Sequence, residues 1–173
     1  MRVHLCVDPG FKATGVAVYD HQAGRLVGWG CYRQDEEWYA GVKKRHGTTM
    51  ADALHLERLV DSLKKATKGL KVGLLLVEAP GGSKSSRAAK TLGLCFGAVV
   101  GWARGRGLRI RYYTPQANKK AAAGDVNATK PMMEGAVTRR WPSFSWPSIP
   151  SAELGHVVDA AALVMAAEAA GDI

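Results

Sequence analysis

The stretch KVGLLLVEAPGG, residues 71–82, constrains the fold more than any other part of this chain. Leu74 to Val77 are apolar without a break, and successive residues of a strand point to opposite faces, so such a strand is covered on both sides. It ends abruptly at Glu78 and a glycine turn. Upstream, RVHLCVDPG, TGVAVYD and RLVGWGCYR are short apolar runs separated by turn residues, which predicts an antiparallel three-stranded meander over residues 2–33. Leu56, Leu59, Val60 and Leu63 fall at i, i+3, i+4 and i+7 and mark an amphipathic helix from about Thr48 to Gly69. The preceding QDEEWYAGVKKRHG has no clear period and reads as a loop with a helical turn. A helix over roughly Ser86–Arg104, a strand LRIRYYTP and a basic stretch QANKKAAAGDVNATKP follow. Next come a helix near residues 131–140, a loop WPSFSWPSIP and a final alanine-rich helix. The fold class expected is α/β: a mixed five-stranded sheet, the meander plus parallel strands, flanked by helices. At 173 residues the chain is expected to form a single domain, 1–173.

The carboxylates stand where strands stop. Asp8 closes the first strand and Glu78 the buried one, and sites in open α/β sheets form at such C-terminal ends. The final helix reads GHVVDAAAL, which sets His156 and Asp159 three apart on one face of an otherwise apolar segment. A hydrogen-bonded core pair is the simplest explanation of two such groups. With Asp8 and Glu78, however, they make a cluster from three segments. Two carboxylates about 4 Å apart repel by roughly 4 kcal/mol at an effective dielectric near 20, so three together call for a cation. Oxygen ligands select Mg²⁺, and one imidazole tilts the preference toward Mn²⁺.

Charge points to a polyanion. The chain carries 24 Lys and Arg against 15 Asp and Glu. Between Lys84 and Arg140 there are twelve basic residues and two acidic ones, the footprint of a nucleic-acid-binding face. Cys6, Cys31 and Cys95 show no paired or metal-ligand spacing and read as reduced residues of a cytosolic protein. Asp8 follows too soon for a signal-peptide core, and the most apolar run, TLGLCFGAVVGWA, is short of the roughly 20 residues a spanning helix needs. A soluble protein is expected. That run carries Gly93, Gly97 and Gly101 at four-residue spacing, a backbone-lined face for either the sheet or a second copy of the helix.

Four blocks in order resemble the RuvC Holliday junction resolvases of the ribonuclease H-like superfamily. CVDPGFKATGVAVYD is similar to the first signature, LLVEAP with SKSSRAAKTLGLCFGAVVGWA to the second, YYTPQANKKAAAGDVNATK to the third and HVVDAAAL to the fourth. The resemblance spans roughly residues 3–165. It implies an RNase H-like nuclease in which Asp8, Glu78, His156 and Asp159 bind Mg²⁺, with Mn²⁺ able to substitute. It implies that Lys119 or Lys120, together with Lys130, lies near the scissile phosphate, and that two metals drive hydrolysis to a 5′-phosphate. Lys84, Arg87, Lys119, Lys120 and Lys130 are the expected DNA contacts. Branched DNA is the implied partner: four-way junctions, and in this chain three-way junctions and forks too. A homodimer through the glycine-lined helix is implied, acting in the cytosol of a bacterium or of a phage host.

The sequence also departs from the family. Many members have an aromatic residue soon after the glutamate, where this chain reads APGGSKSS; FKATG and the long QDEEWYAGVKKRHGTTM connection are also unusual. Broader branched-DNA selectivity and a phage-encoded origin fit that divergence. Trp141, Phe144 and Trp146 are candidates for base stacking or for packing their own loop. Glu153 reads either as an auxiliary ligand or as a helix-start residue. The D-x-G-x-x-x-T-G turn also resembles that of actin-like ATPases, which need two such domains and a longer chain. An RNA-processing enzyme and a non-catalytic nucleic-acid-binding protein are the remaining alternatives.

Overall fold

The computed structural model describes residues 2–82 and 85–173. Strands β1 (Arg2–Asp8), β2 (Ala13–Asp20) and β3 (Arg25–Arg33) form the expected meander. Helix α1 (Glu36–Ala66) leads to β4 (Lys71–Glu78), α2 (Ser86–Gly105) to β5 (Arg109–Tyr113), and α3 (Pro115–Ala123), α4 (Lys130–Arg140) and α5 (Ser151–Ala169) complete the chain. The sheet order is β3-β2-β1-β4-β5, with β4 parallel to both β1 and β5. Because β2 alone runs the other way, β1, β3, β4 and β5 all end at one pole of the sheet. The mixed α/β reading holds.

The unbroken apolar run of β4 is buried from both sides. Leu75 and Val77 meet Leu59, Leu63, Cys95 and Val99 of α1 and α2, whereas Leu74 and Leu76 meet the α5 side with Val158 and Leu163. The alternation of β1 matches: Cys6 faces α5, and Leu5 and Val7 face α1 and α2. Asp8, two residues beyond Cys6, and Glu78, two beyond Leu76, therefore belong to the α5 face. Among the described residues no helix is long and apolar enough to cross a membrane.

A segment that reads as a loop with a helical turn, and a basic stretch that carries no predicted element, are helical. Residues 36–46 form the first part of α1, opened by Asp35, whose Oδ1 accepts from the Trp38 N–H at 2.9 Å. Two acids in the first turn suit the helix dipole. Gly47, at φ 82° and ψ 169°, breaks this piece from the amphipathic remainder. The basic stretch after β5 contains α3, capped by Thr114, with Pro115 in its first turn and Gly124 in the left-handed conformation at its end. Only Asn118 of α3 is buried, so the helix has no apolar period to detect. Trp141 lies in the core and Phe144 and Trp146 pack beside it, so the Trp-rich loop covers its own domain.

Helix α5 approaches β2 so closely that a Cβ at Gly15 would lie 2.0 Å from the His156 carbonyl oxygen and 2.7 Å from the Val157 nitrogen. Both contacts are backbone and cannot rotate away. Replacing Gly15 by Ala is expected to destabilise the fold by at least the roughly 1–3 kcal/mol of an overpacked core. Thermal melting of Gly15→Ala measures this; a melting temperature equal to wild type would mean α5 sits further from the sheet.

Candidate active site

The turn after β1 is closed by Thr14. Its buried hydroxyl donates to the Gly10 carbonyl at 2.9 Å and accepts from the Gly10 N–H at 3.3 Å. This fixes the direction in which Asp8 leaves the strand. Val7 pairs with Val77, so Asp8 and Glu78 leave neighbouring strands on the face covered by α5. Across that face, His156 Nδ1 lies 2.5 Å from Asp8 Oδ2, and the next turn of α5 brings Asp159 to the same place. The four residues expected to act together thus converge at one pole.

A fifth residue joins them that sequence reasoning missed. Asn118 is 1% exposed, and its Nδ2 donates to Glu78 Oε2 and to the Asp159 carbonyl oxygen, each at 2.9 Å. It ties β4 to α5 beneath the cluster. The only signal was its place directly before the Lys119–Lys120 pair in a helix that itself escaped detection.

The electrostatics are those of crowded acids. Burial, then the charge of Asp8, raises Glu78 well above the ordinary carboxylate range, against the hydrogen bond from Asn118. Burial and Asp8 push Asp159 up to about 6, opposed by Lys130, His156 and Lys119. The hydrogen bond to Asp8 raises His156 despite its burial. Without a cation, burial and mutual charge thus raise the pKa of Glu78 and Asp159.

Among the described residues no three His, Cys, Asp or Glu side chains already form a metal cage. The donor set nevertheless fits a hard divalent ion: three carboxylates and an imidazole from β1, β4 and α5, with their mutual repulsion only partly offset by Lys119 and Lys130.

No protein-family model matches the chain. Crossover junction endodeoxyribonuclease RuvC of Pseudoalteromonas atlantica is 27% identical over 141 residues, which is 80% of this chain and 73% of that protein. RuvC of Salinibacter ruber is 28% identical over 145 residues, 82% of this chain and 75% of that protein. The structure of Thermus thermophilus RuvC in complex with Holliday junction substrate superposes with a TM-score of 0.72 at 20% identity, covering 96% of this chain and 92% of that one. The chain is a distant relative of RuvC. It has the RNase H-like fold of those proteins.

The basic residues of this RuvC relative do not form the single face their clustering in sequence predicted. Lys119 is half-buried and its charge reaches both Glu78 and Asp159, while Lys120 is exposed. Lys130 lies over Gly155, its Nζ 3.0 Å from where a Cβ would sit there, and lines a cleft of about 350 Å³ with Met133 and Asp159. Lys119 and Lys130 therefore flank the cluster. Arg104, Arg106 and Arg109, at the end of α2 and the start of β5, lie toward the opposite pole. Arg87 is not a free cation: it donates to both oxygens of the buried Asp52 at 2.7 and 2.8 Å. Lys84 lies outside the described residues. Glu153 pairs with Arg33 at 3.1 Å, which gives it a structural partner at the start of α5. A Cβ at Gly93, Gly97 or Gly101 would meet nothing within 4 Å, so the sheet does not pack on that face of α2.

Two predictions follow from the crowding of the cluster. Groups whose folded-state pKa is raised stabilise the fold below their unfolded pKa and lose that contribution as pH rises through the folded value. In EDTA the melting temperature is therefore expected to fall as pH rises from about 5 to 8, through the value near 6 of Asp159. Mg²⁺ or Mn²⁺ should restore it, more at pH 8 than at pH 5; a metal shift independent of pH would show that the ion binds elsewhere. Replacing Asn118 by Ala frees Glu78 to reorient, and calorimetric titration should show metal affinity reduced by roughly 10–100-fold.

Proposed function

We propose that the chain is a metal-dependent endonuclease that resolves four-way DNA junctions, and accepts other branched DNA, by hydrolysing phosphodiesters in paired nicks. The observation that carries this reading is the convergence of Asp8, Glu78, His156 and Asp159 at one pole, where burial and the charge of Asp8 raise the pKa of Glu78 and Asp159. Similarity to RuvC proteins along four fifths of the chain supports it.

Asp8, Glu78, Asp159 and His156 would hold two Mg²⁺ or Mn²⁺ ions. Bound there, the ions supply activation of the attacking water and stabilisation of charge on the leaving 3′ oxygen. The protein does the rest. Asn118 holds Glu78 against α5. The Asp8 carboxylate orients the imidazole of His156 through Nδ1, and neutral His156 leaves a ring nitrogen with a lone pair for an ion. Lys119 and Lys130 approach from two sides, where they would contact the scissile phosphate. Two symmetric cuts need two sites, and the open Gly93–Gly97–Gly101 face of α2 lets the backbones of two copies approach closely.

Gel-resolved cleavage of a synthetic four-way junction, a fork and linear duplex in Mg²⁺ and in Mn²⁺ tests the reading. Wild type should nick branched substrates in pairs. Asp159→Asn should lose 10²-fold or more, since it removes a ligand charge on which the reaction depends. Cleavage of matched RNA junctions but not DNA would assign the chain to RNA processing. Junction binding without cutting in either metal would leave a nucleic-acid-binding protein.

A further inference from the structure

The pole that carries Asp8 and Glu78 also receives the end of β3, which hands the chain directly to α1. Residues 36–46 therefore lie at that pole, whereas the end of α1 and the start of β4 lie at the other. This short helical piece is firmly tied down. The Tyr39 hydroxyl donates to Asp52 Oδ1 at 2.6 Å, and Arg87 Nη2 donates both to that oxygen at 2.7 Å and to the Tyr39 hydroxyl at 2.9 Å. Asp52 is 2% exposed. Burial pushes its carboxyl up, but Arg87, Tyr39 and Lys90 outweigh that and hold it below the ordinary range. Phe11, in the turn that follows Asp8, meets Tyr39 edge-on at 5.7 Å and His55 at 4.5 Å. Trp38 lies under the Arg58 guanidinium at 4.0 Å, and Val42 is buried. The turn holding Asp8, the first turn of α2 and residues 36–46 are thus one unit. A cleft of about 440 Å³ between Phe11, Thr91 and Leu92 opens from it onto His156.

The outer side of this unit is basic. Lys43, Lys44 and Arg45 are exposed and make no ion pair among the described residues. Arg87 and Lys90 share the single carboxylate of Asp52. The helix dipole accounts for cations at the end of a helical piece. It does not account for the buried Asp52 carboxylate, which is desolvated at a cost and, through Tyr39, anchors the helical piece that carries those cations.

We propose that Lys43, Lys44 and Arg45 form a second nucleic-acid contact surface, which takes the phosphate backbone of a duplex arm of branched DNA lying outside the catalytic cleft. The proposal rests on the nuclease reading above and adds a contact outside the strongly basic third of the sequence. The Tyr39–Asp52–Arg87 knot sets its position, so the arm is held in fixed relation to Asp8 and His156.

Equilibrium binding of a labelled four-way DNA junction, without divalent ions and between 50 and 200 mM salt, tests it. Each phosphate contact contributes about 0.9 to the slope of log affinity against log salt. The variant Lys43→Ala/Lys44→Ala/Arg45→Ala should bind more weakly, with a slope shallower by about 2–3, and should melt at the wild-type temperature because the three side chains are exposed. A control, Lys65→Ala/Lys68→Ala/Lys71→Ala, removes the same charge from the other pole and should keep the wild-type slope. An unchanged slope in the first variant, or an equal change in both, overturns the proposal while leaving the nuclease reading intact. Failure of the wild type to bind the junction at all overturns both.

Discussion

Helix α5 runs across β2 with backbone against backbone at Gly15, and the candidate site depends on that approach. A side chain of any size at position 15 would lift the helix, and His156 would leave Asp8. The alanine-rich composition of α5 serves the same closeness: Ala160, Ala161 and Ala162 are fully buried in the core. Small side chains bury less apolar area than leucine would, but they let a helix lie near enough for a residue on it to complete a site built on strand ends.

The closeness creates an electrostatic conflict. Asp8, Glu78 and Asp159 share one poorly hydrated region, and burial raises the pKa of Glu78 and Asp159 before any neighbour is considered. Asn118 stabilises one arrangement of Glu78, and Lys119 and Lys130 offset part of the charge. None of these removes the repulsion, which is the property expected of a site that completes itself with a cation. The Asp8–His156 hydrogen bond belongs to the same balance. It is strongest when the imidazole is protonated, and it persists through Nδ1 when the neutral ring turns its other nitrogen to a metal.

On the other face of the sheet, Asp52 shows how an exposed helical piece becomes part of a rigid end. Its carboxylate gathers Tyr39, Arg87 and Lys90, and the ring of Phe11 packs into the same group. The arrangement links the turn after Asp8 to two helices. It also explains why Arg87, which the sequence marks as one more cation in a basic region, is paired with an acid 35 residues upstream.

The sequence by itself determined the sheet and marked the four residues that converge at its pole. Apolar alternation and turn residues define each strand locally, and Asp8, Glu78, His156 and Asp159 stand out because each charge or imidazole interrupts an apolar run. Its order of blocks also pointed to RuvC before any superposition. Tertiary structure alone decided what depends on contacts between distant segments. It placed Asn118 under the cluster, brought Lys119 closer to the acids than Lys120, and paired Arg87 with Asp52. It also spread the basic third of the chain over both poles while bringing Lys43, Lys44 and Arg45 to the pole of the site. Charge along a chain says nothing of position until strand direction assigns each segment an end, and a polar helix such as α3 leaves no apolar period because its one buried residue is held by hydrogen bonds to partners 40 residues upstream and 41 downstream.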